Sequence, residues 1–462
     1  MKRKIIIGIL LTLLLTSLST LAFNIQRVKG WTGTVYIRAN GSIDPFDAPI
    51  STVDNVTYTL TGNVTADGDG IVVERDNIVI NGTGCTVQGT VVYPYTGVRL
   101  SGRENVTVRD VQIKNFNYGI RLERYGFMGT GSSNNSISGN NITSNRFGIY
   151  LSGGSNNNEI YGNNITDNFY GVFFDYTAEN NKVYGNNITN NELGICLDGY
   201  ISTTYEECPK NNKIYENNIA NNTEAGVKLV GLDNIFYYNN FLNNTIVIES
   251  EFSSGGTNDP KLSKNILDNG YPSGGNYWSN YTGVDICSGS NQNETGSDGI
   301  SDTVHEIDAN NTDRYPLMAP FNTFDAGVWI GEAYSVDIIS NSTLSNFKLD
   351  EAQKMLSFNV TGTEGKDGFC RITIPNIIVH DLWQGNYTVL LNGEPLSFRN
   401  WTDAANTYTY ISYTHSELEI VIIPEFPSAI IMPLFMALSI IAIIFTNKKR
   451  KNKGATSKAP FL

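Results

Sequence analysis

Apolar and polar residues alternate along the middle of the chain in short runs that recur at a fixed interval. Asn140-Asn141-Ile142-Thr143, Asn163-Asn164-Ile165-Thr166 and Asn186-Asn187-Ile188-Thr189 lie 23 residues apart. Asn217-Asn218-Ile219 and Asn239-Asn240-Phe241 continue the series. Beyond each of the first three comes Gly and an apolar-x-apolar triplet: Ile149-Tyr150-Leu151, Val172-Phe173-Phe174 and Ile195-Cys196-Leu197. The same spacing reaches back to Val98 and Ile120, and forward to Val227 with one residue inserted. Three apolar columns follow. One holds Val108, Ile137, Ile160, Val183, Ile214 and Phe236, and a second holds Ile113, Ile142, Ile165, Ile188, Ile219 and Phe241. The third holds Val98, Ile120, Ile149, Val172, Ile195 and Val227. Alternation of period two predicts strands with one buried face. Such a unit cannot bury that face alone, so successive units must coil into stacked rungs. The predicted fold is all-β, a parallel β-helix solenoid. A leucine-rich repeat would need a Leu scaffold and helical segments, and neither is present.

Composition fits this reading. Of 462 residues, 57 are Asn, 31 of them between positions 101 and 250, and 44 are Gly. Both are poor helix formers, while 25 Tyr and 21 Phe supply apolar surface that a disordered chain lacks. Asn tolerates left-handed turn geometry and bonds to nearby backbone. The Asn columns at 141/164/187/218/240 and 145/168/191/222/244 therefore read as turn and ladder positions. Two insertions leave the coil, at 123–133 (with Arg124, Tyr125 and Phe127) and at 198–210 (with Cys208).

The ends predict the compartment. Lys2-Arg3-Lys4, an apolar run from Ile5 and Thr20-Leu21-Ala22 read as a secretory signal peptide over 1–22. Residues 428–446 are uncharged, long enough for a transmembrane helix, and precede a basic tail over 447–462, expected to be cytoplasmic. The net charge of −13 conceals a more acidic body: residues 23–423 carry 44 acidic and 23 basic residues, a net charge of −21. That argues against nucleic acid and other anionic partners. Eighteen Asn-x-Ser/Thr sites, among them Asn141, Asn164, Asn187, Asn280 and Asn359, predict a glycoprotein.

The Asn-Asn-x-Ile-x-Gly-Asn-Asn-Ile repeats resemble NosD-like right-handed parallel β-helix proteins, the class of carbohydrate-binding and sugar-hydrolysis repeats. The resemblance spans about 31–320. It includes Ile71-Val72-Val73-Glu74-Arg75-Asp76-Asn77-Ile78-Val79-Ile80 at the start, and Gly275-Asn276-Tyr277-Trp278-Ser279-Asn280-Tyr281 and Asp313-Arg314-Tyr315-Pro316-Leu317 at the exit. It implies the right hand of the coil. Pro424-Glu425-Phe426-Pro427-Ser428, with the apolar span and basic cluster, resembles PEF-type archaeal sorting signals, which implies membrane retention or a sorting enzyme as partner. Residues 324–423 show longer alternating runs and the hairpin signal Asn392-Gly393, and predict a β-sandwich that resembles juxtamembrane modules.

Candidate chemistry lies beside the third column. If the register holds, Asp175 and Asp198 sit on adjacent rungs about 5 Å apart. Such a pair could share a proton, hold a cation or act as a glycosidase pair. Tyr150, Phe173, Glu123 and Arg121 lie close by as glycan-binding candidates. Asp285, Asp298, Asp302 and Asp308 are candidate calcium ligands, although their spacing is not that of an EF-hand. The family name attaches copper handling, yet His305, His380 and His415 are widely spaced. Cys196 and Cys208 flank the second insertion and are expected to form a disulfide. The leading expectation is a membrane-anchored extracellular protein that binds glycans or builds the cell surface, without catalysis and with no cofactor other than structural calcium. The rival is a polysaccharide lyase, hydrolase or epimerase using the outer groove. A third reading is an accessory in metal or cofactor maturation.

Overall fold

The computed structural model describes residues 31–90, 93–126, 129–201, 206–249 and 263–425. The expected signal peptide, transmembrane segment and basic tail lie outside them, as does most of the sorting motif. Among the described residues no helix is long and apolar enough to cross a membrane. The chain divides into two compact units at Phe321/Asn322.

The first unit is a parallel β-helix. Sheets A and B each contain ten strands and sheet C twelve, among the described residues. Sheet A includes Gln112–Lys114, Asn141–Thr143, Asn164–Thr166 and Asn187–Thr189. Sheet B includes Tyr118–Leu122, Phe147–Leu151, Tyr170–Asp175 and Leu193–Asp198. Sheet C includes Ser136–Ser138, Glu159–Tyr161, Lys182–Tyr184 and Lys213–Tyr215. All three predicted columns stack in register: Ile137 pairs with Ile160, Ile142 with Ile165, and Ile149 with Val172. These side chains are fully buried in one continuous core.

Three rows of buried Asn line the corners. In one row Asn140, Asn163, Asn186, Asn217, Asn239 and Asn276 follow one another. Each Nδ2 donates to the next Oδ1, as from Asn163 to Asn186 at 3.0 Å and Asn186 to Asn217 at 3.0 Å. The same Oδ1 also accepts the previous rung's backbone N–H, as from Asn140 N to Asn163 at 3.0 Å. The other rows run from Asn135 through Asn158, Asn181 and Asn212, and from Asn145 through Asn168, Asn191 and Asn222. Only the last of the three rows is predicted from the repeat. The predicted 141/164/187/218/240 column lies instead on the outer face of sheet A.

Gly119, Gly148, Gly171 and Gly194 open the strands of sheet B. A Cβ at any of them would come within 2.4–2.5 Å of the glycine carbonyl one rung on. That approach between backbones explains the Gly before every apolar triplet.

The second unit holds two five-stranded antiparallel sheets around one apolar core. It also contains a helix, Asn376–Trp383, that the alternating pattern does not predict. Its buried residues Ile378, Val379, Leu382 and Trp383 follow a helical interval.

Candidate functional site

The outer face of sheet B gathers most of the predicted site residues. Asp175 and Asp198 are register partners on adjacent rungs. Tyr150 pairs with Phe173, and Arg121 with Tyr150. The Tyr150 hydroxyl donates to Asp175 Oδ2 at 2.5 Å, and the Ser152 hydroxyl reaches the same oxygen at 3.4 Å. Burial raises the Asp175 carboxyl above its ordinary value and the neighbouring Asp198 charge adds to this, while the Tyr150 bond opposes it. Tyr150 is also pushed upward, by burial first and then by the Asp175 charge.

One rung earlier, Arg121 forms an ion pair with Glu123 at 2.5 Å, and the Ser101 hydroxyl donates to Glu123 at 3.0 Å. The Arg121 guanidinium covers the Tyr118 ring at 4.3 Å. Its buried Nε has no hydrogen-bond partner. Farther along, Arg99 is held by Asp69 at 2.8 Å. Exposed Tyr125, from the first insertion, walls a depression of about 330 Å³ with Glu74, Arg99, Ser101 and Arg103.

The aromatic content exceeds the two rings expected from the sequence. Tyr118, Phe147 and Tyr170 stack at 5.0 and 4.9 Å, one per rung. Tyr150 stacks on Phe173 at 5.7 Å, and Phe173 meets Phe147 edge-on at 5.2 Å. Tyr150 and Phe173 therefore spend their faces on one another, and Phe173 is only 8% exposed. They form a rigid floor rather than free sugar-stacking faces. The more exposed rings of this region stand at the two ends of strand Tyr170–Asp175: Phe169 is 40% exposed and Tyr176 is 48% exposed. Tyr176 has φ 48°, a conformation that costs a bulky residue about 1–2 kcal/mol. The aromatic before three of the four glycines, Gly119, Gly148 and Gly171, is the sequence signal for Tyr118, Phe147 and Tyr170. Nothing in the periodicity marks Phe169 or Tyr176.

The calcium candidates do not form a metal-holding group. Asp285 accepts the backbone N–H groups of Asp298 at 2.9 Å and Gly299 at 2.8 Å. Asp298 accepts that of Ile300 at 3.0 Å, and Asp302 those of Ile286 and Cys287 at 3.1 Å. Asp308 bonds Asn310 and Asn311 instead. Their oxygens close turns, and among the described residues no group of three or more His, Cys, Asp or Glu is placed to hold a metal ion. The expected Cys196–Cys208 disulfide is not formed. Cys196 lies on sheet B between Phe173 and Lys228. Cys208 packs with Ile201 and Val230 in a separate small core.

Copper would need imidazole or thiolate donors brought together. His305 packs against Trp278 and Tyr281 in the first unit. In the second unit His380 lies beside Asp381, and buried His415 bonds the Ser342 hydroxyl at 2.7 Å. This donor set does not fit a copper site.

Comparison with known proteins finds no match among curated sequences. Among solved structures, the chain is similar to pectate lyase Pel9A, with 13% identity and a TM-score of 0.31 over 44% of this chain and 55% of that one. It is similar to a mutant of the periplasmic alginate epimerase AlgG, with 15% identity and a TM-score of 0.30 over 51% of this chain and 60% of that one. It is also similar to the Dettilon tailspike protein, with 12% identity and a TM-score of 0.36 over 85% of each chain. The chain thus spans little more than half the length of the lyase and epimerase. Residues 34–283, more than half of this chain and nearly all of its stacked rungs, match the family described as periplasmic copper-binding protein (NosD), and the chain belongs to that family.

Proposed function

We propose that the protein is an exported glycan-binding β-helix, tethered by the apolar segment at 428–446, that holds its ligand on the outer face of sheet B without catalysis. One observation carries the reading. A packed aromatic floor lies between two solvent-facing rings, Phe169 and Tyr176, with Asp175 and Asp198 at one side. Seven residues of extended chain separate the outer rings by roughly 20 Å, room for several sugar units. Aromatic surface serves the apolar faces of sugars, and carboxylates accept their hydroxyl protons. Arg99 and Arg121 are already held by Asp69 and Glu123, which favours a neutral glycan over a polyanion.

Glycan-array binding of residues 23–423 tests this. Removing one outer ring, by Phe169→Ala or Tyr176→Ala, is expected to weaken binding about 3- to 10-fold. No glycan bound, or variants that bind like the parent, would sink the proposal.

A second reading has its own support. Asp175 has a raised carboxyl beside a register-matched partner, as an acid paired with a base or nucleophile requires. In that case the protein depolymerises a polysaccharide, and an Asp175→Asn, Asp198→Asn double variant loses the activity while keeping its fold. Absence of depolymerisation by the parent protein across neutral and acidic polysaccharides leaves the binding reading.

A further inference from the structure

The eighteen Asn-x-Ser/Thr sites are segregated in space. Each of their asparagines is exposed or half-buried, and no buried asparagine among the described residues begins such a triplet. None lies on a strand of sheet B. Three of them, Asn141, Asn164 and Asn187, stand on adjacent rungs of sheet A as direct register partners. Strand spacing sets them about 4.8 Å apart, too close for neighbouring sugar rings and their hydration.

The three are not chemically equivalent. Asn164 Nδ2 donates to Asn141 Oδ1 at 2.9 Å, and Asn187 Nδ2 to Asn164 Oδ1 at 2.8 Å. Asn218, which begins no triplet, donates to Asn187 at 2.7 Å. From Asn164 to Asn218 every nitrogen in this outer ladder is therefore committed to the previous rung, whereas Asn141 Nδ2 has no hydrogen-bond acceptor among the described residues. The preceding rung carries Gln112 in the matching position. Gln112 is turned away: its Nε2 donates to the Gly84 carbonyl at 3.1 Å and its Oε1 accepts from Thr86 at 3.3 Å. An open depression of about 550 Å³ results, lined by Asn81, Thr83, Gly84, Asp110, Gln112 and Asn141.

We propose that this stack of three acceptor triplets carries a single N-linked glycan, on Asn141, with its first sugar seated in the depression beside Gln112. The donor is a lipid-phosphate-linked oligosaccharide supplied by an oligosaccharyltransferase. Asn141 Nδ2 bonds to the anomeric carbon, one amide proton passes to base or water, and the lipid phosphate departs. Asn164 and Asn187 are more exposed than Asn141, but modifying either one places a sugar between two ladder amides. The glycan then covers sheet A and leaves sheet B bare.

The test is site occupancy by glycopeptide mass spectrometry, on protein secreted from a host that glycosylates a control protein at Asn-x-Ser/Thr. Occupancy at Asn141 should exceed that at Asn164 and Asn187 at least fivefold, with no molecule modified twice in the stack. Filling the depression by Gln112→Trp should lower Asn141 occupancy severalfold and leave Asn280 unchanged. Equal occupancy of the three, double occupancy, a bare stack, or a Gln112→Trp variant modified like the parent overturns the proposal.

Discussion

At the scale of single residues, the molecule turns on which way each asparagine points. Asn140 and Asn141 are neighbours of one type with opposite tasks. Asn140 is buried and bonded along the coil, and Asn141 faces outward. Sequence periodicity groups them as one turn signal. Only the alternation of the strand that follows separates them, because Ile142 points inward and so places Asn141 outward. Buried Asn163 donates to Ile137 O, Tyr161 O and Asn186 Oδ1, and accepts from Asn140. Asn163→Ala strips partners from several buried groups, at about 1–3 kcal/mol for each one left unpaired. Urea unfolding should show a lower midpoint with an unchanged slope. A midpoint within error of the parent would mean that the ladders are ornament to a core already sufficient. At the same scale, Asp175 and Asp198 were placed correctly by counting alone, since a register of constant period carries outward positions from rung to rung. Phe169 and Tyr176 were not, because the positions one 23-residue period away hold Arg146 and Glu192, and Gly153 and Gly199, so no column marks them.

At the scale of elements, the strands were legible and the irregular exit was not. Tyr161, Tyr184, Tyr215 and Tyr237 form a ladder on sheet C with ring spacings of 5.1, 5.0 and 5.1 Å, a direct product of one repeated position. The exit segment has no repeat, and its acidic residues suggested calcium. Instead, each carboxylate caps backbone. Fully buried Asp313 accepts from Asn276 N at 2.8 Å, Trp278 Nε1 at 2.8 Å and Tyr315 N at 3.0 Å. Burial pushes the Asp313 and Asp285 carboxyls up to about 7, from 3.8. A carboxyl raised in the folded state favours folding while it is protonated. Its contribution is fully present below about pH 4 and is lost as pH rises through about 7. The thermal midpoint of the protein should therefore be higher at pH 5 than at pH 8. A midpoint that rises with pH across that window would contradict the assignment. Added calcium should leave the pH 8 midpoint unchanged, since these oxygens are already bonded to N–H groups.

At the scale of the whole molecule, two units built on different rules share one chain. The solenoid grows by parallel pairing of neighbouring rungs, and the second unit closes antiparallel sheets over a core that includes Trp383 and Phe358. Family membership extends over most of the first unit, but the family description names a metal for which the described residues do not assemble the donors. The acidic body, with a net charge of −21 over residues 23–423, should repel polyanions. Binding of a neutral glycan to it is expected to vary less than about twofold between low and physiological salt, because screening acts on separated charges. A steep salt dependence in the same titration would point to an ionic ligand.

The glycine carbonyls stacked along sheet B make each rung interchangeable with the next. Residues 164–186 begin and end on the same Asn-Asn step, so their removal would join Asn163 to Asn187 and restore the motif without a scar. Between Asn141 and Asn187 the coil is in this sense a ruler graduated in units of 23 residues. Whole graduations can be added or taken away there, whereas losing a single residue inside a strand would turn the rest of that strand's side chains to the other face. Reach and the outer face of sheet B thus change together, one rung at a time, while the chemistry of the joints stays the same.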